Sequence, residues 1–309
     1  MQETIIIDTD PGQDDAVAIL LALASPERFS LPGMTAVAGN VPVTQTAANV
    51  IRICDLAGET RMPVFAGAEG PIVFALETAE FVCGPDGLAG ADLPPPSREP
   101  NAGHAVSFII DTLRRSDEAS VTLCPLGPLT NIALALRMAP DIKSRIKRIV
   151  LMGGAMNLGN ITPAAEFNFH VDPHAAAIVL ESGLPIVMMG LNVTLKAIAS
   201  HDQVARIGAL GTKTGKAIHG MLTRPRPGSL GSNGHPMHDA CVIAYLIWPD
   251  LFRGRDCFVS IDTSDTILRG RSTVDWNGRL RLTPNAFVAD EVDAGPLFDR
   301  MIDVLSTLP

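Results

Sequence analysis

Four aspartates fall within eight residues near the start of the chain: Asp8, Asp10, Asp14 and Asp15, in the segment DTDPGQDD. Carboxylates so close repel one another, which raises their pKa values and destabilises the turn that carries them unless a cation sits among them. Oxygen ligands alone select a hard ion, calcium or magnesium, over zinc. Helix capping would account for Asp14 but not for all four. The run is not an EF-hand loop either, because Ile19 stands where that motif needs its bidentate glutamate. One short loop cannot fill a calcium shell, so other segments must complete it.

Three later segments concentrate polar groups against an apolar background: AGN at Ala38 to Asn40, GNITPAAEFN at Gly159 to Asn168, and GHPMHDA at Gly234 to Ala240. Asn160, Glu166 and Asn168 suit the hydroxyls of a sugar. Asp239 could close a metal site, and His238 beside it could exchange a proton with a leaving group. Each has a plainer reading when taken singly: Asn160 as a turn residue, Asp239 as a charge on a helix N-terminus. MGGAMNLGN does not match a dinucleotide fingerprint and no GxxxxGK[ST] is present, so nucleotide-cofactor chemistry is not indicated. Cys54, Cys83, Cys124, Cys241 and Cys257 have no CxxC spacing and read as buried free thiols of a reducing compartment.

The elements that must position these groups follow a βα rhythm. A β-branched run from Glu3 to Ile7 predicts a strand, and the apolar stretch from Asp14 to Ala24 a helix, with the acidic loop between them. Further strands are expected at Met34 to Ala38, Val64 to Ala66, Val121 to Cys124, Arg148 to Met152 and Pro185 to Met189. Helices are expected at Thr44 to Ala57, Gly103 to Arg115, Leu129 to Ala139 and Pro173 to Ser182. Continuous apolar strands such as IVLM and PIVMM belong to a parallel sheet covered on both faces. The fold class is therefore α/β, one large domain over residues 1–309, with a mostly parallel, doubly wound sheet, a Rossmann-like core and long active-site loops.

Those loops are Gly67 to Asn101 and Thr223 to His235, both rich in glycine and proline. After Pro249 short strands are expected near Cys257 to Ile261, Ser272 to Asp275 and Ala286 to Ala289, then a helix from Asp293. Ligands of such sheets bind beyond the carboxyl ends of the strands, where the acidic loop falls. The net charge of −9 argues against a nucleic-acid partner. No run is long enough to span a bilayer and no targeting signal opens the chain, which reads as cytoplasmic.

With these motifs in hand, the chain resembles the inosine-uridine-preferring nucleoside hydrolases, which split ribonucleosides into ribose and free base. The pieces that carry the resemblance are DTDPGQDDAVAI, AGN, LGPLTNIA, VLMGGA, GNITPAAEFN and HDA, in that order. It implies calcium held by Asp10, Asp15, Asp239 and the main-chain carbonyl of Leu126, with Asp10 also deprotonating the calcium-bound water. It further implies that Asp14, Asn40, Asn160, Glu166 and Asn168 hold the ribose, that Met152 lines the pocket, and that the protein is a homo-oligomer, dimer or tetramer. Asp8 is expected to support its neighbours rather than to ligate.

The chain departs from the family pattern around the leaving base. Cys83 stands where a histidine is usual, Gln13 replaces a histidine of the first motif, and Arg224 and Arg226 lie where some pyrimidine-preferring members carry tyrosine and glutamine. His238 remains as the acid. Two rival readings are a haloacid-dehalogenase-like phosphatase, suggested by DTD after a first strand, and a calcium-dependent sugar- or nucleoside-binding protein without turnover. Pro11 and Gly12 break the phosphatase pattern.

Overall fold

The computed structural model describes residues 2–224 and 234–309. Strand β1 (Glu3–Thr9) leads into α1 (Gln13–Leu23), followed by β2 (Phe29–Ser30), β3 (Met34–Ala36), α2 (Val43–Leu56) and β4 (Val64–Ala66). Next come α3 (Glu80–Cys83), α4 (Ala105–Arg115), β5 (Val121–Pro125), α5 (Thr130–Met138), β6 (Ile146–Met152), α6 (Phe167–Val171), α7 (Pro173–Leu180) and β7 (Ile186–Met189). The chain then forms α8 (Leu191–Thr194), β8 (Ile198–Ala199), α9 (His201–Gly208), α10 (Lys213–Thr223), β9 (His235–Pro236) and α11 (Ala240–Ile247). It ends with β10 (Phe252–Cys257), β11 (Val259–Ile261), β12 (Ser272–Val274), β13 (Ala286–Val292) and α12 (Ala294–Leu305).

The main sheet runs in the order β10-β13-β7-β6-β5-β1-β3-β4, with β2 also paired to β1. Its pairs are parallel apart from the antiparallel β10 and β13. From β1 the chain builds outward through β3 and β4, then returns to β5 on the other side and builds away through β6 and β7. Such a reversal opens a crevice beyond the carboxyl ends of the two strands where it occurs. Here they are β1 and β5, with Asp8 opposite Pro125.

The strand period of two distributes the first isoleucines between two cores. Ile5 and Ile7 join the side chains of α1, α2 and α11, whereas Ile6 joins those of α4, α5 and α7 on the opposite face. All three are fully buried, each stabilising the fold by roughly 1.5–3 kcal/mol. The acidic loop is thus anchored by a strand gripped from both sides.

The mostly parallel, helix-covered sheet agrees with the sequence reading; the differences lie at its margins. Strand β10, FRGRDC, is an edge strand exposed from Arg253 to Asp256, so it lacks the apolar signature of the inner strands. The strand expected at Cys257 to Ile261 is the end of β10 plus the separate β11. Helices α9 and α10 were not expected, although Ser200 and Gln203 cap α9 reciprocally, an S-x-x-Q signature. The loop after β4 contains the single turn α3. Most of the expected loop Thr223 to His235, with Arg226, lies outside the described residues. Among the described residues no helix is long and apolar enough to cross a membrane.

Candidate active site

The crevice beyond β1 and β5 is a pocket lined by Asp10, Asp14, Asn40, Leu126 and Met152, and by Asn160, Glu166, Asn168, His238 and Asp239 from later segments. Of the site residues expected from the sequence, Asp15 alone is not part of the lining. It sits in the first turn of α1, where its carboxyl and those of Asp14 and Asp239 lie within 4.8 Å of one another.

Asp10 occupies a slot made by two backbones. Its Oδ2 accepts the Asn40 N–H at 2.8 Å, and Asn40 Nδ2 donates to the Asp10 carbonyl at 3.0 Å. A methyl group at Gly39 would lie 2.1 Å from Oδ2, and one at Gly127 2.3 Å from Oδ1, so only glycine leaves room for the carboxyl. Asn40 therefore holds Asp10 with both of its donors, and its Oδ1 accepts from Cys83 Sγ at 3.4 Å.

Asp15 and Asp239 are brought together by packing of α1 against α11, whose N-termini meet at the pocket. Asp15 accepts from Thr9 Oγ1 at 2.6 Å and from the Gly12 N–H at 2.9 Å. Asp239 begins α11 but makes no capping bond; its carboxyl lies within 4.8 Å of those of Asp14 and Asp15. Carboxyl groups so close are stable together only with a proton or a cation among them. Burial, and next the charge of Asp15, push Asp10 and Asp239 well above the usual carboxylate range; burial, and next Asp14, raise Asp15.

Burial and crowding oppose joint ionisation of these carboxyls, and a divalent cation would let them ionise together. The donor set is oxygen throughout, and the positive ends of two helices add to the field that favours anions here. The residues present therefore fit a hard metal ion. The Leu126 carbonyl accepts from Asn168 Nδ2 at 2.7 Å, which fixes its direction, and the same nitrogen donates to the Met152 carbonyl at 3.2 Å.

Asp8 stays inside the protein. Its Oδ1 accepts from Thr35 Oγ1 at 2.6 Å and from Asn131 Nδ2 at 2.8 Å, and burial lifts its pKa to about 7 against the pull of both bonds. Glu166 is buried as well and caps α6. It accepts from the Gly154, Asn168 and Phe169 N–H groups at 2.8, 2.9 and 3.3 Å, and burial pushes it to about 7. Asn160 Oδ1 accepts the Phe167 N–H at 2.9 Å. The His238 N–H donates to Asp14 Oδ2 at 3.2 Å, and its Nδ1 is 2.7 Å from Thr194 Oγ1.

Several contributors went unread in the sequence. Phe81, Val82, Ile161 and Phe167 give the pocket an apolar wall, with Gln13 and Cys83 beside them. The cluster EFVC inside a glycine- and proline-rich loop is the available signal for Phe81 and Val82. Asn131, in the apolar helix TNIALAL, donates to Asp8 and to the Ala36 carbonyl and accepts the Ala68 N–H at 2.9 Å. A buried amide among alanines and leucines marks such a tie.

The family model for inosine-uridine preferring nucleoside hydrolase matches residues 5–299. A protein of Schizosaccharomyces pombe described as uncharacterised is 48% identical over 309 residues, covering 99% of both chains. The pyrimidine-specific ribonucleoside hydrolase RihA of an Enterobacter species is 42% identical over 98% of this chain and 97% of that one. Among solved structures, the purine-preferring ribonucleoside hydrolase from Gardnerella vaginalis superposes with a TM-score of 0.90 at 32% identity, over 99% of this chain and 98% of that one. Agreement over such a length leaves no room for the phosphatase reading: the chain belongs to the inosine-uridine preferring nucleoside hydrolases, N-glycosidases that act on ribonucleosides.

Proposed function

We propose that the enzyme is a calcium-dependent nucleoside N-ribohydrolase working by inverting attack of water, with residues 1–309 acting as one domain. The observation that carries this reading is an acidic cluster at one pocket: Asp10, Asp14 and Asp239 line it, the carboxyls of Asp14, Asp15 and Asp239 lie within 4.8 Å of one another, and burial and neighbouring charge oppose ionisation of Asp10, Asp15 and Asp239. Asp10, Asp15, Asp239 and the Leu126 carbonyl are the proposed calcium ligands. Bound there, calcium would supply the Lewis acidity that makes water nucleophilic near neutral pH and orders vicinal ribose hydroxyls.

The remaining chemistry belongs to side chains. Asp10, fixed by Asn40 and the two glycines, takes a proton from the attacking water. The C1′–N bond breaks and its electron pair goes to the base, while the ribosyl group becomes oxocarbenium-like and neighbouring carboxylates offset its charge. Asp14, Asn40, Asn160, Glu166 and Asn168 orient the ribose, with Met152 packed beneath it. His238 gives the departing base nitrogen a proton. Attack opposite the leaving group inverts the anomeric carbon.

Pyrimidine ribonucleosides are the proposed preferred substrates, in keeping with higher identity to the proteins named pyrimidine-specific than to the purine-preferring hydrolase. The five buried cysteines suit the cytoplasm, where nucleoside salvage is the proposed role. A dimer or tetramer, as the family resemblance implies, completes the proposal. The test is release of ribose and base from a panel of purine and pyrimidine nucleosides, with and without a calcium chelator. Ribose release abolished by chelation and restored by calcium is expected. Nucleoside binding without ribose would overturn the reading in favour of a binding protein, and turnover untouched by chelation would overturn the metal dependence.

A further inference from the structure

Thr194 lies 44 residues before His238, at the end of a helix that follows β7, and no motif of the sequence points to it. In the fold the two segments are stitched together. Strands β8 and β9 pair antiparallel, with Ile198 opposite Pro236 and Ala199 opposite His235. Next along, the Met237 N–H donates to the Ala197 carbonyl at 2.9 Å. The ladder continues into a side-chain contact, Thr194 Oγ1 to His238 Nδ1, at 2.7 Å. Thr194 is fully buried, so its hydroxyl is not satisfied by bulk water and its place is set by packing.

We propose that Thr194 is a positioning residue for the reaction, holding the His238 imidazole in the orientation and tautomer that present Nε2 to the leaving base. This rests on the assignment of His238 as the leaving-group acid. Engagement of Nδ1 by Thr194 Oγ1 confines proton exchange with the leaving group to Nε2, because the second nitrogen is oriented by the bond its partner makes. The backbone of the same histidine is held independently by Asp14 Oδ2, at 3.2 Å from its N–H. Main chain and ring are thus fixed from two elements, α1 and α8. In the step this serves, the C1′–N bond breaks, its electrons go to the base nitrogen, and the proton on Nε2 moves to that nitrogen. Water supplies the replacement oxygen at C1′ and, through Asp10 and solvent, the proton that restores His238.

The test compares Thr194→Val, which keeps shape and loses the hydroxyl, with Thr194→Ser, which keeps it, using uridine and inosine beside 4-nitrophenyl riboside, whose leaving group needs no proton. His238→Ala is run in parallel. A misoriented acid forfeits much of the 10²–10⁴-fold that general acid catalysis supplies, so kcat on nucleosides should fall about 10- to 100-fold in Thr194→Val. On the nitrophenyl riboside kcat should stay within about twofold, KM should barely move, and Thr194→Ser should recover most of the loss. Equal losses on both substrate types, or no loss on nucleosides while His238→Ala shows a selective one, would overturn the role of Thr194. If His238→Ala itself fails to discriminate between leaving groups, the acid assignment falls first and the inference falls with it.

Discussion

Adding one methyl group at Gly39 probes how closely catalysis depends on the position of the Asp10 carboxyl. Gly39 has no left-handed backbone angle, so alanine is conformationally acceptable and the effect reduces to contact. The new carbon would lie 2.1 Å from Asp10 Oδ2 and 2.8 Å from Pro128 Cδ. A carbon–oxygen contact settles near ~3.3 Å, so the carboxyl must retreat by roughly 1 Å. Retreat toward Gly127 is closed, since Oδ1 already stands where a methyl group there would be 2.3 Å away. The carboxyl must therefore swing off its bond with the Asn40 N–H or the loop must shift. Displacement of about 1 Å at a reacting group costs on the order of 100-fold in rate, or ~2.7 kcal/mol of barrier. Overpacking should lower stability by a further ~1–3 kcal/mol. The assay is steady-state hydrolysis of a saturating nucleoside, with calcium binding by calorimetry and unfolding in urea alongside. Gly295→Ala, at a position where a methyl group meets nothing within 4 Å, serves as control. Wild-type kcat and calcium affinity in Gly39→Ala would refute the slot as the device that fixes Asp10.

Asp239→Asn removes one charge from the crowded cluster, so it should raise stability in chelator by ~1–3 kcal/mol while weakening calcium binding, and denaturation with and without calcium should show shifts of opposite sign. Asn131→Leu leaves the Asp8 carboxyl and the Ala68 N–H short of partners and should cost about 2–4 kcal/mol in urea unfolding. Burial alone would raise the Glu3 carboxyl, but bonds from Thr122 Oγ1 and the Arg148 guanidinium hold it below its usual value. A depressed folded-state pKa stabilises the protein above the ordinary carboxylate range and loses that contribution as pH falls. Glu3→Gln should therefore be less stable than the wild type near pH 7, with the gap closing in acid, as thermal melts across pH 3–7 would record.

What the sequence made legible depended on the range over which each signal acts. The acidic loop was readable because strand, turn and helix lie in one local stretch, where composition alone specifies charge density. The parallel sheet was readable because inner strands are apolar throughout. Strand β10 escaped because its middle residues face solvent at an edge, where charge rather than apolarity is favoured. Thr194 escaped for a different reason: its role exists only through the pairing of β8 with β9, and the sequence gives no sign that these two-residue strands are partners. The wall of Phe81 and Val82 depends on how the loop after β4 folds back. Asn49 fixes it by donating to the Asp86 carbonyl at 2.7 Å, and Arg52 by donating to the Leu93 carbonyl at 2.9 Å.

The four aspartates that look equivalent in DTDPGQDD are separated by the partners their neighbours provide. Asp8 points away from the crevice because β1 alternates, and Thr35 and Asn131 take up one of its oxygens, so its work is to bind β1 to β3 and α5. Asp10, two residues on and clear of the strand, enters the pocket only because Gly39 and Gly127 leave a gap there. Asp14 and Asp15 are neighbours on α1 yet turn in different directions, one to the His238 N–H and the other to Thr9 and Gly12. A loop built this way stores repulsion that helix N-termini relieve only in part. That residual repulsion favours capture of a cation, so the same carboxylates that weaken the metal-free fold create the affinity on which the proposed chemistry depends.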